Sequence, residues 1–81
     1  MGMSGNTATP LATLSSTIEV GELVRSVRKI QGLTQLDVAG LAGLSNRFVI
    51  DLEKGKATLQ MQKVLDVLSL LGLEVVIRKK L

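Results

Sequence analysis

The side chains of this sequence that can do chemistry are hydrogen-bond donors and fixed charges rather than nucleophiles. Ser45-Asn46-Arg47 is followed closely by Asp51, Glu53, Lys54 and Lys56, which crowds hydroxyl, carboxamide, guanidinium, carboxylate and ammonium groups into one stretch. A guanidinium can give two parallel N–H bonds to guanine O6 and N7, a carboxamide can read adenine, and ammonium groups neutralise phosphate. The chain has no Cys and no His, which removes disulfide frameworks, zinc sites and thiol or imidazole catalysis. Asp37, Asp51, Glu53 and Asp66 lack a spacing that marks a metal cluster, and there is no Gly-rich phosphate loop. Catalytic residues, metal ligands and cofactors are therefore not expected, and neither is an enzyme. Ten Lys and Arg against seven Asp and Glu leave a formal charge of +3, which suits a polyanionic partner only where the charges cluster.

Those groups need elements to hold them, and 81 residues support one small core at most. Phe48 is the only aromatic residue, so that core must be built from Leu, Val, Ile, Met and Ala. Met1 to Ser15, with Gly2, Gly5, Pro10 and scattered Ser and Thr, reads as a flexible tail. Ser16-Thr17-Ile18-Glu19 has the form of a capping box opening a first helix. Val20, Leu23, Val24, Val27 and Ile30 lie on its inner stripe, and Gly32 supplies the C-cap. Thr34 caps a short second helix, Gln35 to Ala42, which reads as largely buried because Leu36, Val38, Ala39, Leu41 and Ala42 leave little polar surface. Gly43 breaks it, Ser45 caps a third helix from Asn46 to Lys54, and Gly55 closes that one. A fourth helix is expected from about Gln60 to Leu71, with Met61, Val64, Leu65, Leu68 and Leu71 inward and Gly72 ending it.

After Gly72 the pattern changes. Leu73, Val75 and Ile77 alternate with Glu74, Val76 and Arg78, which is a strand signature. No second strand is evident upstream, so this one is expected to pair with another copy in an antiparallel ribbon across a two-fold axis. The fold class is thus mostly α: a four- to five-helix repressor-like domain at residues 16–72, with a dimerisation strand at 73–81. No apolar run approaches the ~18 residues that span a bilayer, and no signal-peptide pattern opens the chain, so a soluble, cytoplasmic protein is expected.

The second and third helices meet the packing rules of a helix-turn-helix, in which the first helix braces the second in the major groove. Counting from Gln35, Ala39 falls at the fifth position, where a small side chain permits close approach, and Gly43 at the ninth, where the turn takes positive φ. Val38, Ala42, Leu44, Val49 and Leu52 fill the five positions that must be apolar. An ordinary helical hairpin would share the periodicity without requiring Ala, Gly and the caps at those offsets.

Across roughly Glu19 to Gly72 the chain resembles the Cro-like and phage-repressor class called XRE. The resemblance rests on Leu33-Thr34-Gln35, Ala42-Gly43-Leu44-Ser45 and Asp51-Leu52-Glu53-Lys54-Gly55-Lys56. It implies a DNA-backbone contact for Gln35 and a structural ion pair between Arg28 and Glu53. Asn46-Arg47-Phe48-Val49, Gly55-Lys56-Ala57-Thr58-Leu59 and the terminal strand look more like HipB-type antitoxins. Such proteins dimerise partly through C-terminal strands, bind palindromic operators upstream of their own operon and hold a HipA-type kinase toxin inactive. Ala57 departs from the Pro common there.

The leading half of the recognition helix nominates Ser45, Asn46, Arg47, Ile50 and Asp51 for DNA contact. Arg47 reads a base, or else holds a phosphate or is simply solvated, and the same readings apply to Asn46. Phe48 meets a thymine methyl or packs on the fourth helix, the second being favoured. Lys54 and Lys56 neutralise phosphate or belong to a solvated loop. Leu73, Val75, Val76 and Ile77 are the dimerisation candidates, and the role of Arg78, Lys79 and Lys80 stays open. The partners expected are a palindromic double-stranded operator, a second copy of the chain and a HipA-like kinase toxin, with no membrane. A stand-alone XRE regulator is the alternative within the class, and a protein-interaction module without DNA binding is the alternative outside it.

Overall fold

The computed structural model describes residues 12–80. Most of the expected N-terminal tail, and Leu81, lie outside them. Four helices follow one another: α1 Thr17–Ile30, α2 Gln35–Ala42, α3 Asn46–Lys54 and α4 Met61–Leu70. The starts of the first three are set by side-chain caps. Ser16 Oγ accepts the Glu19 N–H at 3.1 Å. The Glu19 carboxylate does not return to Ser16 as the reciprocal arm of a capping box; it accepts from Ser15 N–H at 2.6 Å and Ser15 Oγ at 2.9 Å. These bonds, the Ser15 backbone N–H foremost, hold its carboxyl below the usual range. At α2 the box is complete, with Thr34 Oγ1 accepting the Asp37 N–H at 3.0 Å and Asp37 Oδ2 accepting the Thr34 N–H at 2.9 Å. The same two groups of Thr34, its backbone N–H first, lower the Asp37 carboxyl. Ser45 Oγ opens α3 by accepting the Phe48 N–H at 3.1 Å.

The turn between α2 and α3 depends on Gly43, whose φ of 69° lies in the left-handed region. Leu44 N–H then reaches back to the Ala39 carbonyl at 2.9 Å, which closes α2 and swings the chain directly into the Ser45 cap. Packing follows from this turn: α3 lies against both α1 and α2, and α4 covers α2. Val24, Val38, Val49 and Val67 are fully buried, each contributing about 1.5 kcal/mol or more relative to exposure, and Ala39, Leu52, Leu68 and Leu71 complete the core. Gln31 Nε2 donates to the Leu71 carbonyl at 2.7 Å and ties the end of α1 to the end of α4.

The structure corrects the expected core in three places. Leu36 and Leu41 are 68% and 64% exposed, so α2 is buried on one side only; its hydrophobicity runs around the helix, but α3 and α4 cover a single face. Ile30, the last residue of α1, is 84% exposed because the α1 stripe outruns the neighbours that cover it. On α4 the buried stripe is Val64, Val67, Leu68 and Leu71, an i, i+3, i+4, i+7 set in which Val67 was not anticipated. Leu65 is one position off that stripe, and Met61 at the leading end of the helix reaches past it into solvent.

Gly21 was not singled out by sequence and proves structurally critical. It is buried on α1 against the end of α3, where an added Cβ would lie 2.7 Å from the Glu53 carbonyl oxygen and closer still to that of Leu52. The contact is backbone to backbone, so α1 can seat on α3 at this depth only without a side chain there.

Residues 73–80 form no regular secondary structure within the single chain. Leu73 packs on the core and its N–H bonds the Leu68 carbonyl at 2.8 Å, whereas Val75, Val76 and Ile77 are 58%, 74% and 94% exposed. No helix among the described residues is long and apolar enough to cross a membrane.

Candidate nucleic-acid interface

The leading end of α3 is presented to solvent on a braced base. Ser45, Asn46 and Arg47 are exposed, the Arg47 side chain by 72%, while Val49 and Leu52 on the opposite face are buried in the core. Ile50 is half-buried and Phe48 is half-buried against the core, with the Lys63 ammonium of α4 5.9 Å from its ring centroid. Phe48 therefore packs on the core. Lys54 and Lys56 are exposed at the far end of the helix and in the loop beyond it.

The base of α3 is locked by a single carboxylate. Arg28 of α1 donates from Nε to Glu53 Oε2 at 2.6 Å and from Nη2 to Glu53 Oε1 at 3.1 Å, a two-pronged pair whose side chains are 10% and 4% exposed. Arg28 Nη1 donates in addition to the Leu33 carbonyl at 2.7 Å. Gln35, at the start of α2, donates from Nε2 to the same Glu53 Oε1 at 3.1 Å. One carboxylate thus joins α1, α2 and α3, and among the described residues no buried side-chain N or O is left without a partner. The Gln35 amide retains a second N–H beyond the one given to Glu53.

Asp51 differs from its expected placement. Its side chain is only 14% exposed and lies between two cations, Oδ1 3.1 Å from Arg47 Nη2 and Oδ2 3.7 Å from Lys56 Nζ. The pairing with Arg47 spans one helical turn at i,i+4. The pairing with Lys56 depends on the reversal at Gly55, φ 84°, after which Lys56 N–H bonds the Asp51 carbonyl at 3.0 Å. Among the described residues, no group of three His, Cys, Asp or Glu side chains is placed to hold a metal ion.

A short helix seated across a second one, joined through a left-handed glycine and leaving the second helix's leading end exposed and cationic, defines a helix-turn-helix domain. Residues 24–77 match the protein family described as Helix-turn-helix. The chain is also 56% identical over 54 residues to an HTH-type transcriptional regulator of Sinorhizobium fredii, y4mF, covering 67% of this chain and 71% of the relative. The chain belongs to the helix-turn-helix family of XRE-type transcriptional regulators. Among solved structures, HipB in the HipB–O4 20mer complex and in the HipA–HipB–O2–O3 complex superposes with a TM-score of 0.78 at 17% identity, over 85% of this chain and 97% of that one. That likeness is one of fold. The restriction-modification controller protein C.AhdI from Aeromonas hydrophila is 28% identical, with a TM-score of 0.65 over 72% of this chain and 88% of its own.

Proposed function

We propose that this chain is a dimeric, sequence-specific DNA-binding repressor that inserts the leading end of α3 into the major groove. The observation that carries the reading is the exposed Asn46–Arg47 end of a helix whose far end is locked through Glu53 to two other helices. A side chain on so rigid a support can report base identity, because little ordering entropy is lost on contact. Arg47 reads guanine, Asn46 reads adenine, and Ser45 and Ile50 line the contact. Gln35, Lys54 and Lys56 hold phosphates from the two sides. Arg47→Ala is expected to lower preference for an operator half-site by about 1–3 kcal/mol and to leave salt-sensitive binding to random duplex largely intact. Competition binding against a scrambled duplex checks this. Equal weakening on both duplexes would assign Arg47 to phosphate alone.

The proposed two-fold assembly uses residues 73–81. Ile30, Leu23 and Val27 on α1 line one groove with Val75, Val76 and Ile77, and among the described residues no backbone–backbone hydrogen bond ties this β-branched segment to another element, so it lies beside an apolar helix face open to pairing. A second copy supplies both the pairing strand and the apolar cover, and sets two α3 helices about one DNA turn, ~34 Å, apart on a palindromic operator. Deleting Val75 to Leu81 is expected to shift the dimer to monomer by at least tenfold in dissociation constant and to weaken operator binding with it. Sedimentation equilibrium showing an unchanged dimer would remove the strand from the assembly.

Within this reading the protein is a cytoplasmic antitoxin of the HipB type, which represses its own operon and neutralises a HipA-like kinase toxin. Support comes from the near-complete coverage of HipB as found in a complex with HipA, together with the β-branched segment that follows Gly72. A stand-alone regulator is the second reading, favoured by the higher identity to the restriction-modification controller. Affinity purification from native cells separates them: a co-eluting kinase-like protein supports the first, and its reproducible absence supports the second.

A further inference from the structure

Asp51 sits where an acidic residue costs something on every simple account. A carboxylate in the last turns of a helix faces the negative end of the helix dipole, and Asp is a weak helix former. On a surface that approaches phosphates it adds repulsion as well. Helix stability and raw affinity for a polyanion would both favour a neutral residue. The geometry shows what the carboxylate does instead. Its two oxygens are divided between Arg47 Nη2 at 3.1 Å and Lys56 Nζ at 3.7 Å, while its own side chain is largely covered. Arg47, whose side chain is 72% exposed, is thereby tethered along the axis of α3 rather than left to sweep the many rotamers open to it.

We propose that Asp51 is the positioning residue for Arg47, holding its guanidinium against α3 and balancing Lys56, so that the recognition helix gains base discrimination at the expense of phosphate affinity. The tether occupies Nη2 and leaves the remaining guanidinium N–H groups to address a base edge. A backbone phosphate that draws Arg47 or Lys56 away from α3 takes it from Asp51 and leaves that carboxylate unneutralised beside the duplex. For Arg47 that penalty falls on non-specific contact alone, because a base contact is made within the tether, whereas Lys56 meets it on any duplex. The inference deepens the reading of α3 as the groove-inserted helix and rests on it.

The test is Asp51→Asn, which keeps size and shape and removes the charge, compared with wild-type protein on two probes. One is a duplex enriched by the wild-type protein from a randomised pool, and the other is a scrambled duplex of the same composition. The variant is expected to bind the scrambled duplex on the order of tenfold more tightly and to show a discrimination ratio lower by a similar factor. The slope of log affinity against log salt should steepen by about 1–2, since each additional phosphate contact contributes ~0.9. Asp51→Glu should restore part of the ratio. A purely structural residue would weaken both duplexes together with no change in ratio or slope, and that result overturns the proposal, as does an Asn variant indistinguishable from wild type. If the wild-type protein enriches no sequence at all, the groove reading falls and takes this proposal with it; enrichment with an unchanged ratio in the variant sinks the proposal alone.

Discussion

Truncating Glu53 to Ala is expected to destabilise the domain by about 3–5 kcal/mol, a large share of the roughly 4–12 kcal/mol available to a chain of this length. The magnitude follows from burial. The Glu53 side chain is 4% exposed and Arg28 10%, so removing the carboxylate leaves a guanidinium in the interior without its counter-charge, and Gln35 loses its acceptor. The pair itself need not be strongly stabilising relative to an apolar replacement, because both charges were desolvated to form it. Arg28→Met combined with Glu53→Leu should therefore lie closer to wild type than either single change. Urea unfolding of Glu53→Ala, Arg28→Met, Glu53→Leu and the double change checks the pattern. A loss near 1 kcal/mol for Glu53→Ala would mean the pair behaves as a surface contact. The i,i+4 pair of Arg47 with Asp51 provides the contrast, since its Arg47 side chain is 72% exposed and helix pairs of that spacing contribute only ~0.3–0.5 kcal/mol.

The second large effect is expected from one substitution made at two sites with opposite sign. Gly40→Ala, in a helix where the new Cβ meets nothing within 4 Å, should stabilise by about 0.5–1 kcal/mol through helix propensity. Gly21→Ala gains the same propensity but places its Cβ against the backbone carbonyls of Leu52 and Glu53. Carbonyls in a helix cannot rotate aside, so α1 and α3 must separate, which costs about 1–3 kcal/mol or more and outweighs the gain. The separation also pulls Arg28 from Glu53, and DNA affinity should fall with stability. Thermal unfolding of the two variants decides the matter, and a Gly21→Ala protein as stable as Gly40→Ala would show that the helices can part without cost.

Much of the domain was legible in the residues alone. The bounds of α2 and α3, the left-handed Gly43, and the burial of Val38, Ala39, Val49 and Leu52 were all readable. Capping, glycine at positive φ and helical periodicity act within a few residues, so their signals lie side by side in the chain. Arg28 and Glu53 were accessible only through resemblance, because nothing local in either residue points to the other.

Other features were settled only by tertiary packing. Leu36, Leu41, Ile30 and Met61 have core-like side chains, yet they are exposed because a domain this small lacks elements to cover them. Gly21 looks like a helix defect until the end of α3 is laid across it, and Asp51 looks like one more groove-facing residue until Gly55 turns Lys56 back toward it. Periodicity and turn chemistry are properties of neighbours in sequence, and they determined which helices form and how α2 hands over to α3. Burial depth, helix approach and the pairing of charges across a turn are properties of neighbours in space, and these came into being only when the helices met.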